Sequence, residues 1–449
     1  MRVRRPELGA KQCLIWDREH ETMPRSKLEK LQLERLKKTV ERCYSRIPFY
    51  KEKMDELGVK PQDIKSLKDV NKLPFTTKYD LRDNYPFEMF AEPMDRIVRM
   101  HASSGTTGKP VVVGYTAKDL DTWAELMARV YTSAGVTDAD IVHNNYGYGL
   151  FTGGLGFHYG AERVGAAVVP VSGGLSKRQV MLWQDLGATV VTCTPSYALV
   201  LAEQAKELGV DPVRDLKLRV GFFGAEPWTI EMKRKIEEKL NLEAYDCYGL
   251  TEMIGPGVSS ECPYHNGLHI CEDHFLVETV DPDTGESCPQ GSQGEMVITS
   301  LTKEGFPILR FRTRDRTIID TDICACGRTT ARMKRISGRT DDMLIIRGVN
   351  VFPSQIENVI LTIKGLEPQY VIVVDRGSTY MDDLEVQVEC TKELFAQGAE
   401  AMEKVQEETG SELHQILGLS ARIKVVAPKT LERSEGKAKR VIDFRDLDH

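Results

Sequence analysis

Ser103-Ser-Gly-Thr-Thr-Gly-Lys-Pro110 packs two glycines, four hydroxyls and a lysine into eight residues. Glycines let backbone N–H groups approach a polyphosphate, hydroxyls donate further hydrogen bonds, and a lysine supplies a cation. Ser103, Ser104, Gly105, Thr106, Thr107, Gly108 and Lys109 are therefore candidate contacts for a polyphosphate. By composition alone the segment is equally a flexible surface loop. It is not a Walker A loop, because only two residues separate Gly105 from Gly108 and Lys109 runs into Pro110 and strand-like valines. Glu252 follows a strand ending near Cys247, where a carboxylate suits a phosphate-bridging Mg²⁺. A solvated loop acid is the bland alternative. From Tyr146 to Gly156, five glycines alternate with aromatic rings. That pattern suits an aryl pocket lined by Tyr146, Tyr148, Gly149 and Phe151, with Gly224, Ile254, Gly255 and Pro256 close by. It also suits a tight strand-to-helix turn with core rings. Cys324-Ala-Cys-Gly327 is a knuckle that Cys262 and His269 would complete to a tetrahedral structural zinc site. His265 competes as a ligand, and reduced thiols without metal are the alternative. Near the C-terminus, Gly436 precedes Lys437, a candidate for meeting phosphate charge, with Lys439 as its rival and a solvated basic tail as the plain reading.

The elements that must position these groups are legible in outline. Leu33, Leu36, Val40, Cys43 and Ile47 recur at helical steps after Ser26 and Glu29, which read as a capping box, and Pro48 ends that helix. From about residue 140 to 249, strands Ile141–Asn145, Ala166–Val171, Ala188–Thr194, Leu218–Phe223 and Glu243–Cys247 alternate with helices Lys177–Leu186, Pro195–Leu208 and Pro227–Leu240. This rhythm predicts βαβ units in a parallel sheet, whose ligands gather at the carboxyl ends of the strands. Beyond Glu252, His274–Val280 and Glu295–Thr299 alternate in polarity and are bounded by turns, so they read as antiparallel. Glycine and charge near Ser337–Asp342 predict a boundary. The expected organisation is a large domain over 1–337 and a small α+β unit over 338–449. In the small unit, strands Met343–Ile346, Tyr370–Asp375, Leu384–Glu389 and Ile423–Val426 accompany helices Ser354–Ile363 and Glu393–Thr409.

Composition narrows the class. The chain has 449 residues, 41% hydrophobic and 28% charged, as globular proteins do. Sixty basic against 67 acidic residues leave a net charge of −7, which argues against nucleic acid as a partner. No apolar run reaches the ~20 residues of a membrane span. No secretory signal is read at the N-terminus, and ten cysteines are too sparse for a disulfide scaffold, so a reducing cytoplasm is expected.

Ser103–Pro110 also resembles the first ATP motif of acyl-adenylate-forming enzymes. Further matches follow in that family's order: Phe223-Gly-Ala-Glu-Pro227, Tyr248-Gly-Leu-Thr-Glu252, Phe311-Arg-Thr-Arg-Asp315, Gly338-Arg-Thr-Asp-Asp342 and Ser434-Glu-Gly-Lys437. Arg314 stands where many members have glycine. Tyr146–Gly156, Glu272–Phe275, Ser300–Glu304 and Arg347–Pro353 look like the phenylacetate–CoA ligase branch. The resemblance implies an α/β N-terminal adenylate-forming domain with parallel sheets and an antiparallel subdomain, closed by a mobile α+β lid. It implies nucleotide contacts from Gly224, Ala225, Glu226, Pro227, Asp246, Tyr248, Gly249, Thr251, Asp315, Ile336 and Arg339. Asp315 would accept the ribose hydroxyls, although Arg312 or Arg314 could instead claim it, and Arg339 could merely pair with Asp341 or Asp342. Asp341 would be the hinge, and Lys437 the catalytic lysine. The implied reaction joins an aryl acetic acid to coenzyme A through an acyl-adenylate, using ATP and Mg²⁺. Phenylacetate leads, with indoleacetate and hydroxyphenylacetate as rivals. Loading of a carrier protein and a non-catalytic adenylate sensor are the other outcomes, and a homodimer is left open.

Overall fold

The computed structural model describes residues 13–103, 110–339, 344–346, 349–375, 382–433, 438 and 440–445. The loop 104–109, Asp341, Lys437 and Lys439 lie outside the described residues.

Five strands form the parallel heart of the large domain: β3 (Ile141–Asn144), β4 (Ala167–Val169), β5 (Val190–Cys193), β6 (Val220–Gly224) and β7 (Glu243–Leu250). They pair in the order β4-β3-β5-β6-β7. All four residues of β5 are buried, the continuous apolar run expected of a strand covered on both faces. Helices Thr152–Val164, Ser176–Leu186, Pro195–Glu207 and Ile230–Leu240 make the crossovers. Gly165 and Gly187 end two of them in the left-handed conformation.

The antiparallel strands do not form a separate layer. β7 pairs antiparallel with β8 (Gly255–Glu261), and the sheet continues through β9 (Leu268–Ile270), β13 (Arg332–Met333), β12 (Phe311–Asp320), β11 (Gln293–Ser300) and β10 (Phe275–Val280). β14 (Gly338–Arg339) pairs with β12, so one twelve-stranded sheet carries both parts. β12 alternates buried and half-buried residues along most of its length, as a strand with one face on the core must. A separate hairpin pairs β1 (Arg99–Ala102) with β2 (Val112–Tyr115), the strands that flank the glycine-rich segment in the sequence.

The C-terminal unit opens with a short hairpin, β15 (Leu344–Ile346) with β16 (Val349–Val351). Its main sheet runs β19-β18-β17-β20, from Arg422–Val426, Asp383–Cys390, Leu366–Asp375 and Val441–Asp443. Leu361 of its helix Pro353–Thr362 is buried in the N-domain cluster that contains Trp183, Tyr197, Trp228 and Ile236. Ion pairs rim this contact: Lys429 with Glu207, Arg433 with Glu203 at 3.3 Å, and Lys239 with Glu367 at 3.6 Å.

Several sequence expectations need correction. Helix Arg25–Arg46 starts after Pro24, so Ser26 lies inside the first turn and caps nothing. Pro48 opens a second helix, Pro48–Glu56, where its missing N–H costs nothing. Pro227 precedes its helix, which starts at Ile230 behind the Thr229 cap. Gly398, at φ 91°, splits the expected helix 393–409 into Lys392–Ala396 and Ala399–Leu417.

Candidate active site

The carboxyl end of β7 meets β12, beside which β14 pairs. Register brings Asp315 of β12 opposite Arg339 of β14. The Arg339 guanidinium donates to Asp315 Oδ1 at 2.9 Å, and the Tyr248 hydroxyl donates to Oδ2 at 2.6 Å. Three residues from distant parts of the chain thus form one ionic cluster. Burial, with the charge of Asp315 beside it, pushes the Tyr248 hydroxyl well above its ordinary value, so it stays a donor. Arg312 and Arg314, the rival partners, turn instead to Glu295, at 2.6 and 3.7 Å. Arg314 sits at φ 67°, the left-handed conformation that explains why glycine suits this position.

Close backbone approach shapes the adjacent loop. A Cβ on Gly224 would lie 2.1 Å from the Cys247 carbonyl, and one on Gly249 would lie 2.0 Å from that of Gly255. Ala225 follows at φ 70°, turning the chain toward solvent, and Glu226 and Pro227 continue it. Asp246 is buried with Arg335 3.8 Å away; burial lifts its carboxyl to about 6 against the pull of that cation. Thr251 is half-buried, 3.4 Å from the Thr152 hydroxyl, and Ile336 packs on the main core. Ser103 exchanges hydrogen bonds with Val111 at 3.0 and 3.3 Å, extending the hairpin.

The pocket candidates separate into two groups. Gly255, at φ 108°, presses against Trp123, as does Gly156 of the facing helix. Trp123 Nε1 donates to the Pro256 carbonyl at 2.9 Å, and the Tyr115 hydroxyl donates to that of Ile254 at 3.1 Å. Tyr146 is buried, stacked on Phe157 at 4.9 Å, and its hydroxyl has no partner among the described residues. Tyr148 is half-buried and accepts from Asn144 at 2.7 Å, whereas Gly149 and Phe151 are exposed. Sequence reading missed Trp123, Tyr115 and His101, whose rings lie 5.4 to 5.6 Å from one another behind Gly255.

Glu252 is buried at the end of β7. The charge nearby that sequence reading passed over is Lys303. It is 3% exposed, its ammonium has no hydrogen-bond partner among the described residues, and it rests 4.3 Å from the Tyr115 ring centre. Asp119 holds its loop by accepting from the Glu304 and Gly305 amides at 2.7 and 2.9 Å. Burial lowers Lys303 to about 7, against the opposing fields of Asp119 and Glu252. A fall from 10.5 to about 7 corresponds to about 5 kcal/mol. That cost is full below pH 7 and fades as pH rises toward 10.5, where the unfolded chain also loses the proton. Lys303→Met is therefore expected to stabilise the fold by a few kcal/mol (on the order of 3) at pH 6 and by much less at pH 10. Urea denaturation at the two values checks this, and an equal gain at both contradicts it.

Cys262, His269, Cys324 and Cys326 are brought together although up to 64 residues separate them: all are buried, with donor atoms within 4.8 Å of one another. The Cys262 and Cys324 sulfurs are 3.8 Å apart, and Cys326 Sγ lies 3.3 Å from His269 Nε2. Arms of about 2.3 Å in a tetrahedron give an edge of about 3.8 Å, so the spacing fits zinc. His269 Nδ1 meets the Thr330 hydroxyl at 3.2 Å, leaving Nε2 facing the thiols. His265 is not in this set; it bonds to Lys233, Glu261 and Glu243 at 2.8, 3.1 and 3.0 Å.

An acidic acceptor cluster at the switch from parallel to antiparallel strands, in a chain that ends in a small α+β unit, points to a class, and comparison agrees. The AMP-binding enzyme family model matches residues 10–302, and that of the AMP-binding enzyme C-terminal domain matches 348–445. The chain belongs to the AMP-binding enzyme family. Within it, the chain is 49% identical over 446 residues to the phenylacetate-coenzyme A ligase of Thermus thermophilus, covering 96% of this chain and all of that protein. It also superposes on 2-hydroxyisobutyryl-CoA ligase in the postadenylation state with R3-HIB-AMP, with a TM-score of 0.91, 32% identity, and 98% and 95% of the two chains covered. Against the same ligase in the thioesterification state, with 2-HIB-AMP and CoA, the TM-score is 0.72 at 33% identity, with 98% and 94% covered. With coverage nearly equal, this chain superposes more closely on that ligase in its postadenylation state than in its thioesterification state. Among the described residues, no helix is long and apolar enough to cross a membrane.

Proposed function

We propose that this chain is an ATP-dependent aryl-acid–coenzyme A ligase with phenylacetate as its leading substrate. The acid's carboxylate attacks the α-phosphorus of ATP, giving an aryl-acyl-AMP and pyrophosphate; the CoA thiol then displaces AMP to give the thioester. The observation that carries the reading is the Tyr248–Asp315–Arg339 cluster, an ionised acceptor fixed from both sides where a ribose would rest. Glu252, buried at the strand end, fits a hard oxygen-bound cation such as Mg²⁺, which would neutralise phosphate charge there. Ser103–Lys109 take the β- and γ-phosphates, and the loop 224–227 with Asp246, Gly249, Thr251 and Ile336 frames the nucleotide. Tyr146, Ile254, Gly255 and Pro256, backed by Trp123, are the inner pocket wall, and Tyr148, Gly149 and Phe151 are nearer its mouth. Lys437 enters with the lid to meet the charge that develops on the phosphates. The lid turns about Asp341 so that CoA reaches the same carbonyl in the second step. Zinc at Cys262, His269, Cys324 and Cys326 is structural.

Pyrophosphate release measured over phenylacetate, indoleacetate, hydroxyphenylacetate and aliphatic acids, with and without CoA, tests the reading. Phenylacetate is expected to give the highest kcat/KM, with thioester appearing only when CoA is present. Pyrophosphate release with no CoA-dependent thioester on any acid sinks it.

A further inference from the structure

We propose that Arg335 is a positioning residue for the purine end of the nucleotide site, the bracket that holds the loop 224–228 against β7 and β8. Its guanidinium touches all three. Nη2 donates to Glu261 Oε1 of β8 at 3.0 Å. Nη1 donates to the Trp228 carbonyl at 3.4 Å and lies 3.8 Å from Asp246 Oδ2 of β7. The group also rests over the Trp228 ring, 4.7 Å from its centre. Trp228, Asp246 and Glu261 are all buried. Such a bracket needs two N–H directions and a flat face, which arginine has and lysine lacks. Four residues on, the same segment presents Arg339 to Asp315. The stretch 335–339 thus brings one guanidinium to each of two acids that frame the candidate nucleotide site.

The loop needs a hold at this end. Its start is fixed by backbone contact, since a Cβ on Gly224 would lie 2.1 Å from the Cys247 carbonyl, and Glu226 ties its middle to the Ser196 amide. Ala225 and Pro227 are exposed, and at Trp228 the chain turns back into the core, its ring 5.7 Å from that of Phe223. Arg335 joins that turning point to the strand that bears Asp246. Charge balance depends on it as well. Glu261 Oε2 accepts from the Asp246 amide at 3.0 Å and from Lys233 Nζ at 2.7 Å. Two cations therefore serve two buried carboxylates, and Arg335 is the one that reaches both. It acts on a binding surface shared by ground state and transition state, so its loss should appear in KM and not in kcat.

This inference rests on the reading of Asp246 and the loop 224–227 as the frame of the nucleotide, and its test keeps the two apart. AMP and inorganic triphosphate are each titrated into the full chain with Mg²⁺ present and followed by calorimetry. AMP carries the purine and ribose, and triphosphate carries neither. Arg335→Met is expected to weaken AMP about tenfold and triphosphate less than about twofold. The KM for ATP should rise by about the same tenfold, with kcat for phenylacetate-dependent thioester formation within about twofold. Arg335→Lys keeps the counter-charge but not the bracket, and it decides the matter even where the methionine variant does not fold. It should weaken AMP about threefold and again spare triphosphate. Unchanged AMP affinity in Arg335→Lys and in any folded Arg335→Met overturns the proposal. So does an equal loss for AMP and triphosphate, which would make Arg335 a general support of the fold. Wild-type protein that binds no AMP removes the reading of the loop itself, and the proposal with it.

Discussion

Replacing Lys437 with alanine is expected to slow acyl-adenylate formation by at least ~10²–10³, while pre-formed acyl-adenylate still reacts with CoA. The two steps make opposite demands. In the first, a carboxylate approaches a triphosphate, and negative charge grows on the α-phosphate and on the departing pyrophosphate. A preorganised ammonium stabilises that transition state more than the ground state, so its loss should appear in kcat and not in KM. In the second, AMP leaves from a mixed anhydride that carries far less charge than the triphosphate did, and the thiol needs the space. A glycine at position 436 would let the backbone come close to phosphate. The neighbouring Ala438 amide lies against Glu226, at the edge of the candidate nucleotide site. Lys439→Ala should change either step by less than about threefold, since a charge not aimed at the reacting atoms contributes little. Half-reactions measured separately, by pyrophosphate exchange and by thioester formation from synthetic acyl-adenylate, decide the matter. If Lys439→Ala takes the loss instead, the assignment moves two residues; if neither variant matters, the lid lysine is elsewhere.

Gently purified protein is expected to hold about one zinc per chain, and Cys326→Ser to lose it along with stability on the order of 4 kcal/mol, within the class of large metal-loss effects. The four donors sit in a helix-poor region whose strands β9 and β13 have only three and two residues. The metal would tie Cys262, at the end of β8, to the loop before β13. Arg328 extends that tie to the N-terminal segment through Glu21 at 2.5 Å. Without the ion, three thiols and an imidazole share a buried space held by apolar contacts and a few weak hydrogen bonds. Its role would be structural by position: Glu252 lies before β8 and Cys262 after it, and seven residues of strand span roughly 20 Å. Both half-reactions should therefore decline only in parallel with the folded fraction. Metal analysis with melting curves, with and without a chelator, checks this. A zinc content near zero in gently purified protein, or a Cys326→Ser variant that melts with the wild type, removes the metal from the account.

How much was legible beforehand follows from the range of each signal. The parallel strands and their crossover helices were found because a buried strand between turn residues is a local pattern. β5 and helix Pro195–Glu207 lie within two residues of their expected spans. Helix ends were less legible. Ser26 and Glu29 have capping-box spacing, but the helix follows Pro24 and begins two residues earlier than a Ser26 cap would set it, and Gly398 breaks another that apolar periodicity alone carries through.

By itself, the sequence determined which chemical groups are available and the class of fold that presents them. Glycine-rich loops, strand–helix alternation and ordered short motifs are properties of neighbouring residues, and they persist whatever the packing. Only the tertiary structure decided which distant groups meet. It chose Arg339 over Arg312 and Arg314 as the partner of Asp315, because β14 pairs with β12 while Glu295 occupies the other two. It excluded His265 from the thiol cluster, because Lys233, Glu261 and Glu243 surround that ring. It buried Lys303 beside Tyr115 and gave one carboxylate, Glu226, donors from two domains. These pairings depend on strand register and domain arrangement, which arise from the summed burial of the whole chain and not from any segment's own pattern.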